Sequence, residues 1–267
     1  MGVNMEKKLE AFKRLLNIMD ELRAKCPWDK KQTFDSLRAN TIEETYELCD
    51  AIMKKDTKEI KKELGDVLLH IVFYSKIASE TNDFDIADVC NSLCDKLIFR
   101  HPHVFGEGNA KSAGEVEQSW EQIKQKEKDG NKSVLAGVPD ALPALIKCYR
   151  IQDKARNVGF DWKEKEDIWH KVEEELNEFK DEVHAMNQEK MEEEFGDLLF
   201  SMINAARLYK INPENALERC NRKFIRRFNH IEKRTKEENK ELSQLSLEEM
   251  DAYWDEAKRI ERENKQS

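Results

Sequence analysis

Lys190-Met-Glu-Glu-Glu-Phe-Gly-Asp-Leu-Leu-Phe200 is the stretch on which the fold of this chain depends, because a close copy, Lys61-Lys-Glu-Leu-Gly-Asp-Val-Leu-Leu-His70, precedes it. In both stretches a glutamate stands three residues before an aspartate, a glycine directly precedes the aspartate, and an apolar run follows. The two acidic pairs are Glu63 with Asp66 and Glu194 with Asp197. Apolar residues at helical spacing around each pair predict an amphipathic helix in each copy.

A second acidic pair lies nineteen residues before each of these glutamates. These pairs are Glu44 with Glu47 and Glu175 with Glu178. Every acid of the later set follows its counterpart by 131 residues, which indicates a duplicated structural unit. We therefore predict an N-terminal domain over residues 1–128 and a C-terminal domain over 144–267. The stretch 129–143, which contains two glycines and two prolines, is predicted to be the linker.

The composition predicts an all-α fold. Good helix formers are abundant, while the chain has only 9 glycines and 5 prolines, and no alternating strand pattern is present. The predicted helices cover about 6–24, 40–53, 57–80, 85–99, 115–128, 141–156, 166–186, 188–209, 213–235 and 247–254. A net charge of −9 argues against a nucleic-acid-coating role. No apolar stretch approaches twenty residues and no signal peptide opens the chain, so we expect a cytoplasmic protein with no membrane partner.

The spacing of the acids predicts a cation site in each copy. Residues three apart on a helix lie on the same side, so an antiparallel helix pair would gather four carboxylates. Four such charges repel one another unless cations offset them. Carboxylate oxygens suit Mg²⁺, with Mn²⁺ as an alternative. The predicted metal ligands are Glu175, Glu178, Glu194 and Asp197, and in the second copy of the site Glu44, Glu47, Glu63 and Asp66.

The acids are also compatible with purely structural roles. Solvated helix faces carry acids in this way, and Thr41-x-x-Glu44 fits a capping box at a helix start. Val172 stands where Thr41 does in the second copy and cannot cap. A di-iron bundle would need Glu-x-x-His motifs that the repeated pairs lack, so a Mg²⁺ site fits better. Glycine within a helix costs about 1 kcal/mol against alanine, so Gly65 and Gly196 predict a packing reason at both positions.

Basic and aromatic residues follow each acidic set at helical spacing. A Lys and an Arg four residues apart share one helix face and are able to grip a polyphosphate, and a tryptophan is able to stack on a base. The alternatives are a charged soluble surface for the cations and half-buried packing for the tryptophans. The predicted substrate-binding residues are Lys96, Arg100, Trp120 and Lys124 in the first copy, and Lys223, Arg227 and Trp254 in the second.

The chain resembles, nearly end to end, the MazG family of nucleoside triphosphate pyrophosphohydrolases in the all-α NTP pyrophosphatase superfamily. The resemblance implies tandem MazG domains, a homodimer and Mg²⁺ dependence. It implies hydrolysis of ribo- or deoxynucleoside triphosphates to monophosphate and pyrophosphate, with broad base tolerance and a role in nucleotide-pool cleaning or stress response. The motifs that carry it are Cys26-Pro-Trp-Asp-Lys30, Thr41-x-Glu-Glu-x-Tyr-Glu47, Glu63-Leu-Gly-Asp66, Arg100-His-Pro-His-Val-Phe105, Trp120-Glu-Gln-Ile-Lys124, Asn157-Val-Gly-Phe-Asp-Trp162 and Glu193-Glu-Phe-Gly-Asp197.

The resemblance also implies roles for single residues. The acids Glu175, Glu178, Glu194 and Asp197 match the family's metal ligands, Lys223 and Arg227 its phosphate-binding residues, and Trp254 a residue near the nucleotide. The first copy retains the same residue types, but Lys61 and Lys62 precede its Glu63, which predicts weaker cation binding there. We therefore expect the main site in the second copy. Glu174 or Glu175 is the predicted catalytic group that orients or deprotonates the attacking water.

Two other functions are compatible with the residues. One is a non-catalytic dimeric binding or regulatory module that keeps the fold without the reaction. The other is a pyrophosphohydrolase for a single signalling or damaged nucleotide, such as (p)ppGpp or an oxidised deoxynucleoside triphosphate. No base-reading motif is apparent, so the sequence does not choose among nucleobases.

Overall fold

A computed structural model of the chain describes residues 2–106, 116, 123 and 133–264, and the regular structure in these residues is entirely helical. This confirms the predicted all-α class. The chain divides into two compact units, Met1–Lys111 and Ser112–Ser267. The predicted limits of the linker, 129–143, stay a prediction. Among the described helices, none has both the length and the apolar character to cross a membrane.

The first unit is built on one antiparallel helix pair. Its helices are α1 (Gly2–Lys25), α2 (Phe34–Lys54), α3 (Thr57–Glu80), α4 (Ile86–Arg100) and the short α5 (Pro102–Phe105), with a 3₁₀ turn at Asp29–Lys31. Helices α2 and α3 pack on each other across a two-residue connection, and α1 and α4 also pack against α3. The buried core consists of Met19, Leu37, Val72 and Phe73.

The start of α2 corrects the prediction. The helix begins at Phe34, where Thr33 and Ser36 form a reciprocal capping box, and not near residue 40. Thr41 lies inside the helix, with its Oγ1 3.0 Å from the Leu37 carbonyl oxygen and 2.6 Å from the Tyr74 hydroxyl. The capping-box interpretation of Thr41 and Glu44 is therefore wrong. An equally good cap lies earlier in the sequence, and the helix extends back to it because Leu37 has a place in the core.

The second unit repeats the helix pair. Its helices are α6 (Ala144–Arg156), α7 (Asp167–Ala185), α8 (Gln188–Leu208), α9 (Pro213–Glu237) and α10 (Leu247–Glu263), with a 3₁₀ turn at Leu242–Gln244. Helix α7 packs on α8, α6 packs on α8 and α9, and α10 packs on α9. Helix α10 continues well beyond the predicted end at Trp254, because strong helix formers follow a capping box between Ser246 and Glu249.

The two helix pairs share one register. Leu37 and Ile168, which are 131 residues apart, are each 1% exposed. The connections match in the same way, because Lys55 (φ 58°) and Met186 (φ 55°) both end a helix in the left-handed conformation. The next residue, Asp56 or Asn187, then caps the following helix through its side chain. The duplication therefore repeats the turn between the helices as well as their cores.

We predicted that close packing requires the glycines of the repeated motif. Within the described residues, no such close contact is present at either glycine. A Cβ atom added to Gly65 or Gly196 would meet no atom within 4 Å. Beside each glycine lies a stripe of three exposed apolar side chains at matching positions, which we call the apolar stripes. They consist of Leu64, Leu68 and Ile71 on α3 and of Phe195, Leu199 and Met202 on α8. The helix surface around each glycine is thus open and apolar.

The predicted helix over 115–128 lies outside the described residues except for positions 116 and 123, which are helical. Trp120 and Lys124 fall in this part of the chain. Their predicted role in substrate binding therefore stays a prediction.

Leu37→Ala should lower the free energy of unfolding by about 2–5 kcal/mol, because it leaves a cavity among Met19, Val72 and Phe73. The matched control is Leu9→Ala on α1, where the side chain is 62% exposed and the expected change is within about 0.5 kcal/mol. Urea denaturation followed by circular dichroism measures both. Equal effects of the two substitutions would contradict the core assignment.

Candidate active site

Each helix pair gathers three acids at its centre. In the second unit, Glu175 on α7 and Glu194 and Asp197 on α8 each place a carboxylate oxygen within 4.8 Å of the other two. In the first unit the matching residues, Glu44 on α2 with Glu63 and Asp66 on α3, do the same. The structure therefore brings together three of the four acids that the sequence predicts for each site.

The fourth acid of each set lies outside these clusters. Glu47 and Glu178 are exposed, but both interact electrostatically with the clustered acids. Partial burial and the charge of Glu175 raise the pKa of the Glu178 carboxyl above its ordinary value. Partial burial and the charge of Asp66 raise the pKa of Glu44 in the same way, and Glu47 adds to this effect. Each site thus concentrates negative charge that a cation would relieve.

One lysine contacts the buried glutamate of the second site. Lys171, one helical turn before Glu175, places its Nζ 2.6 Å from Glu175 Oε1 and 2.8 Å from Glu174 Oε1. Its hydrogen bonds to these two carboxylates raise the pKa of the Lys171 ammonium well above its ordinary value. Glu174 itself is exposed and stands outside the three-acid cluster.

A lysine also contacts the first site, as the sequence predicts. Lys62 Nζ lies 2.8 Å from Glu63 Oε1. Since Lys171 contacts Glu175 in the second unit, the lysines before Glu63 do not by themselves distinguish the two copies. Weaker cation binding in the first unit, and with it the preference for the second site, stays a prediction.

The donor set of both sites fits a hard divalent cation. Three carboxylates that converge within 4.8 Å offer only oxygen ligands, the type that Mg²⁺ prefers together with retained waters. In the first unit, Glu63 is only 3% exposed, and its Oε2 atom is buried with no hydrogen-bond partner among the described residues. A bound cation would satisfy this oxygen, because Lys62 contacts only the other oxygen of the carboxylate.

A cavity of about 630 Å³ lies beside the carboxylates of the second unit. Glu175, Asp197 and Lys171 form part of its wall, so it is continuous with the acid cluster. The remaining wall comes from α6, α7, α8, the loop Asn157–Trp162 and Leu135, which precedes α6. Its apolar residues include Ile151, Ala155, Phe160, Trp162, Ile168 and Phe200, and its polar ones include Gln152, Asn204 and Arg207. Its size is typical of small-molecule sites.

An ion pair fastens this loop to α8. The guanidinium of Arg207, which is 7% exposed, donates from Nη1 to Asp161 Oδ2 at 3.1 Å. Its Nη2 also donates to Asn204 Oδ1 at 2.8 Å. Gly159 adopts φ 90°, a left-handed conformation that favours glycine, and so allows the chain to turn before Phe160. The Asn157–Trp162 motif therefore forms one wall of the cavity.

The first unit carries different side chains at the matching positions of the helix pair. Phe73 lies 131 residues before Asn204 and is 3% exposed, packed with Met19 and Leu37 in the core. Tyr74, at the position of Ala205, lies within hydrogen-bonding distance of Thr41. Aromatic rings of the first unit thus stand where the second unit has an amide and a methyl group.

The predicted phosphate-binding residues of the second copy lie in the α9–α10 region. Arg227 Nη2 donates to Glu261 Oε2 at 2.8 Å, and its guanidinium lies over the Trp254 ring, 5.3 Å from the centroid. Trp254 also packs against Phe224, with ring centroids 5.2 Å apart, so it has the half-buried packing role. Neither these residues nor the exposed Lys223 line the described cavity. Their substrate role stays a prediction, as it does for Lys96 and Arg100 on α4.

The acid clusters lie within two regions that match one protein family. The profile of the MazG nucleotide pyrophosphohydrolase domain matches residues 32–105 and again residues 163–232. This chain belongs to the MazG family. The matched regions contain all eight predicted metal ligands, so the two MazG domains coincide with the two copies of the internal repeat.

Similar proteins cover almost the whole chain. A nucleoside triphosphate pyrophosphohydrolase/pyrophosphatase MazG from Thermotoga maritima is 46% identical over 92% of this chain and 95% of its own length. A nucleoside triphosphate pyrophosphohydrolase from Escherichia coli K12 is 43% identical over 93% of this chain and 97% of its own. One from Mycobacterium tuberculosis is 38% identical over 53% of this chain and 44% of its own.

Several residues of the site were missed by sequence reasoning. Lys171 had a readable signal, because a lysine four residues before an acid on a helix pairs with it. Gln152, Asn204 and Arg207 had none, because Gln152 on α6 meets the two α8 residues only in the folded unit. The pairing of Arg207 with Asp161 joins residues 46 positions apart.

Lys171→Met should tighten Mg²⁺ binding by about 2- to 5-fold, because the ammonium then no longer competes with the ion for Glu175. Isothermal titration calorimetry measures the dissociation constant. Lys25→Met, which breaks a similar lysine–glutamate pair with Glu21 on α1, is the matched control and should leave it unchanged. Weaker Mg²⁺ binding by Lys171→Met would show instead that the lysine organises the site.

Proposed function

We propose that this protein hydrolyses nucleoside triphosphates at the α–β linkage to nucleoside monophosphate and pyrophosphate, in a Mg²⁺-dependent reaction. The observation that carries the proposal is the cluster of Glu175, Glu194 and Asp197 beside a cavity of about 630 Å³. Membership of the MazG family and the names of the relatives from Thermotoga maritima and Escherichia coli support the same reaction.

The acids of the second unit would hold the cation. Glu175, Glu194 and Asp197 supply the converging oxygens, and Glu178 lies close enough for its pKa to respond to them. When bound, Mg²⁺ or Mn²⁺ supplies charge neutralisation for the phosphates and lowers the pKa of water. The rigid α7–α8 pair keeps the ligands in position, so little reorganisation accompanies binding.

The side chains around the cluster are proposed to accept a proton from water and to bind the phosphates. Glu174 or Glu175 accepts the proton of the attacking water, whose oxygen forms the new bond to the α-phosphorus. The bond from that phosphorus to the bridging oxygen breaks, and pyrophosphate leaves. Lys171, which neutralises Glu174 and Glu175 in the free protein, is placed to contact a phosphate instead. Lys223 and Arg227 are proposed to hold the polyphosphate further out.

We propose the second unit as the main site, because its cavity joins the acids to an apolar and aromatic wall, whereas the cavity of about 510 Å³ beside Glu63 in the first unit is lined mostly by charged side chains. In the first unit the ring of Phe73 holds the position that matches Asn204. The first site, with the unpaired buried oxygen of Glu63, remains a proposed cation site. Broad base tolerance and a role in nucleotide-pool cleaning or stress response are part of the same proposal.

We also propose that the protein is a homodimer. The support is the pair of apolar stripes, which expose large side chains at the same positions of both units beside glycines with open space. Helices approach closely where a glycine replaces a larger residue, and contiguous exposed apolar surface marks interaction sites. A second copy of the chain is the proposed occupant of this surface.

The substitution Leu199→Glu should convert the dimer into a monomer, because it places a charge within the apolar stripe of α8. Size-exclusion chromatography with light scattering measures the mass of both proteins. Leu247→Glu on α10, where the leucine is 72% exposed and lies outside the stripe, should leave the dimer intact. A monomeric wild-type protein would overturn the dimer proposal.

Incubation with ATP and Mg²⁺ should yield AMP and pyrophosphate, and Glu194→Gln should lower kcat/KM by about 100-fold, because it removes a charged cation ligand. Ion-exchange chromatography of the products measures both effects. Glu192→Gln, an exposed neighbour on the same helix, is the control and should retain activity. The matching Glu63→Gln should have a much smaller effect if the second unit is the main site.

The product pattern also tests the alternative functions. ADP and phosphate as products would contradict cleavage at the α–β linkage. Absence of hydrolysis with any nucleoside triphosphate would favour a non-catalytic binding module. A kcat/KM that is high for only one signalling or damaged nucleotide in a panel would replace broad tolerance by a dedicated activity.

A further inference from the structure

The cavity of the second unit contains a buried amide whose acceptor has no partner. Gln152 on α6 is 5% exposed and lines the cavity. Its Nε2 donates to the Phe200 carbonyl oxygen at 2.8 Å, which determines the orientation of the amide group. Its Oε1 is buried and has no hydrogen-bond partner in the part of the chain that the structure describes. A buried acceptor without a donor is unfavourable, so Gln152 is suited to a ligand that brings an N–H group.

The cavity also offers a second polar group and exposed aromatic surface. Asn204 uses its Oδ1 to accept from Arg207, which leaves its amide nitrogen as a donor. Phe160 lines the cavity and is 83% exposed, and Trp162 and Phe200 also line it. Flat aromatic rings with one acceptor and one donor are the groups that bind a nucleobase by stacking and by its edge.

The position of the cavity determines which part of a nucleotide reaches it. Glu175 and Asp197 belong both to its wall and to the acid cluster. A triphosphate held at the acids would therefore direct the rest of the nucleotide into the cavity. This step rests on the proposed function, because it assumes that the acids bind the triphosphate of a nucleotide.

We propose that the cavity is the nucleobase site and that Gln152 determines base binding. Its Oε1 accepts a hydrogen bond from an N–H of the base edge, while Phe160 stacks on the ring. Adenine and cytosine present an amino group, and guanine, uracil and thymine present a ring N–H, so one acceptor serves every natural base. The broad tolerance then follows from the chemistry of a single amide oxygen. A base without any N–H on its edge loses this contact.

The test compares ATP with purine riboside triphosphate, which lacks only the amino group of adenine. The α,β-methylene forms of both are used, because they cannot be cleaved at the α–β linkage and their binding does not depend on turnover. Calorimetry with Mg²⁺ should show the wild-type protein binding the adenosine form about 10-fold more tightly. In Gln152→Leu this preference should disappear, since the acceptor is gone.

Two controls accompany this comparison. Gln32→Leu makes the same change in the first unit, where the Gln32 amide has partners at both ends, and should keep the wild-type preference. Inorganic tripolyphosphate, which has no base, should bind equally to wild type and Gln152→Leu. Its unchanged affinity would show that the Gln152 variant keeps an intact phosphate site.

A second variant tests the site without touching a buried residue. Phe160→Ala removes an exposed ring, so folding should be unaffected. The variant should bind the adenosine analogue about 5- to 10-fold more weakly than the wild-type protein, because the stacking contact is lost. Tripolyphosphate affinity should again be unchanged. This measurement decides the proposal if Gln152→Leu fails to fold.

Three results would overturn the nucleobase assignment. They are equal binding of the two analogues to the wild-type protein, a preference that persists in folded Gln152→Leu, and an unchanged adenosine-analogue affinity in Phe160→Ala. Failure to form AMP and pyrophosphate from ATP is a separate outcome. It would count against the proposed reaction and leave the binding comparison valid.

Discussion

Repulsion among converging carboxylates is the constraint on which both units depend. Three acidic side chains whose oxygens lie within 4.8 Å would separate in a flexible peptide. Here they are held because both helices that carry them are anchored in the core, by Leu37 on α2 and Val72 on α3 in one unit and by Ile168 on α7 and Ala205 on α8 in the other. Part of the core packing energy is therefore used to keep like charges together. Desolvation and the charge of Glu175 also raise the pKa of the neighbouring Glu178 carboxyl.

Duplication preserved this scaffold while the surroundings of the acids diverged. A lysine contacts one acid in each site, but the contacts are not equivalent, because Lys62 pairs with Glu63 on α3 and Lys171 pairs with Glu175, the counterpart of Glu44, on α7. The larger difference concerns the neighbouring space. Phe73 belongs to a packed aromatic core, whereas its counterpart Asn204 lines a cavity and is held by an arginine. The same position of the helix pair is thus filled by a core ring in the first unit and faces ligand-accessible space in the second.

Much of the fold was predictable because its signals are local. Helical periodicity located most helices to within a few residues, and the 131-residue offset between the acidic sets identified two equivalent units from the order of residues. The error at the start of α2 has a physical cause. Two threonines each satisfy a capping pattern, and the choice of Thr33 over Thr41 depends on burial of Leu37, which is a tertiary contact.

The candidate site also has a part that follows from the local sequence and a part that depends on tertiary contacts. Residues three or four apart on a helix must share a face, so the acidic pairs and their register follow from the order of residues alone. The cavity does not, because its wall joins residues that are far apart in the chain. The unpaired oxygen of Gln152 is the clearest case, since its lack of a partner depends on how α6 packs against α8. Pairing and exclusion of water are properties of the assembled fold, and no local pattern encodes them.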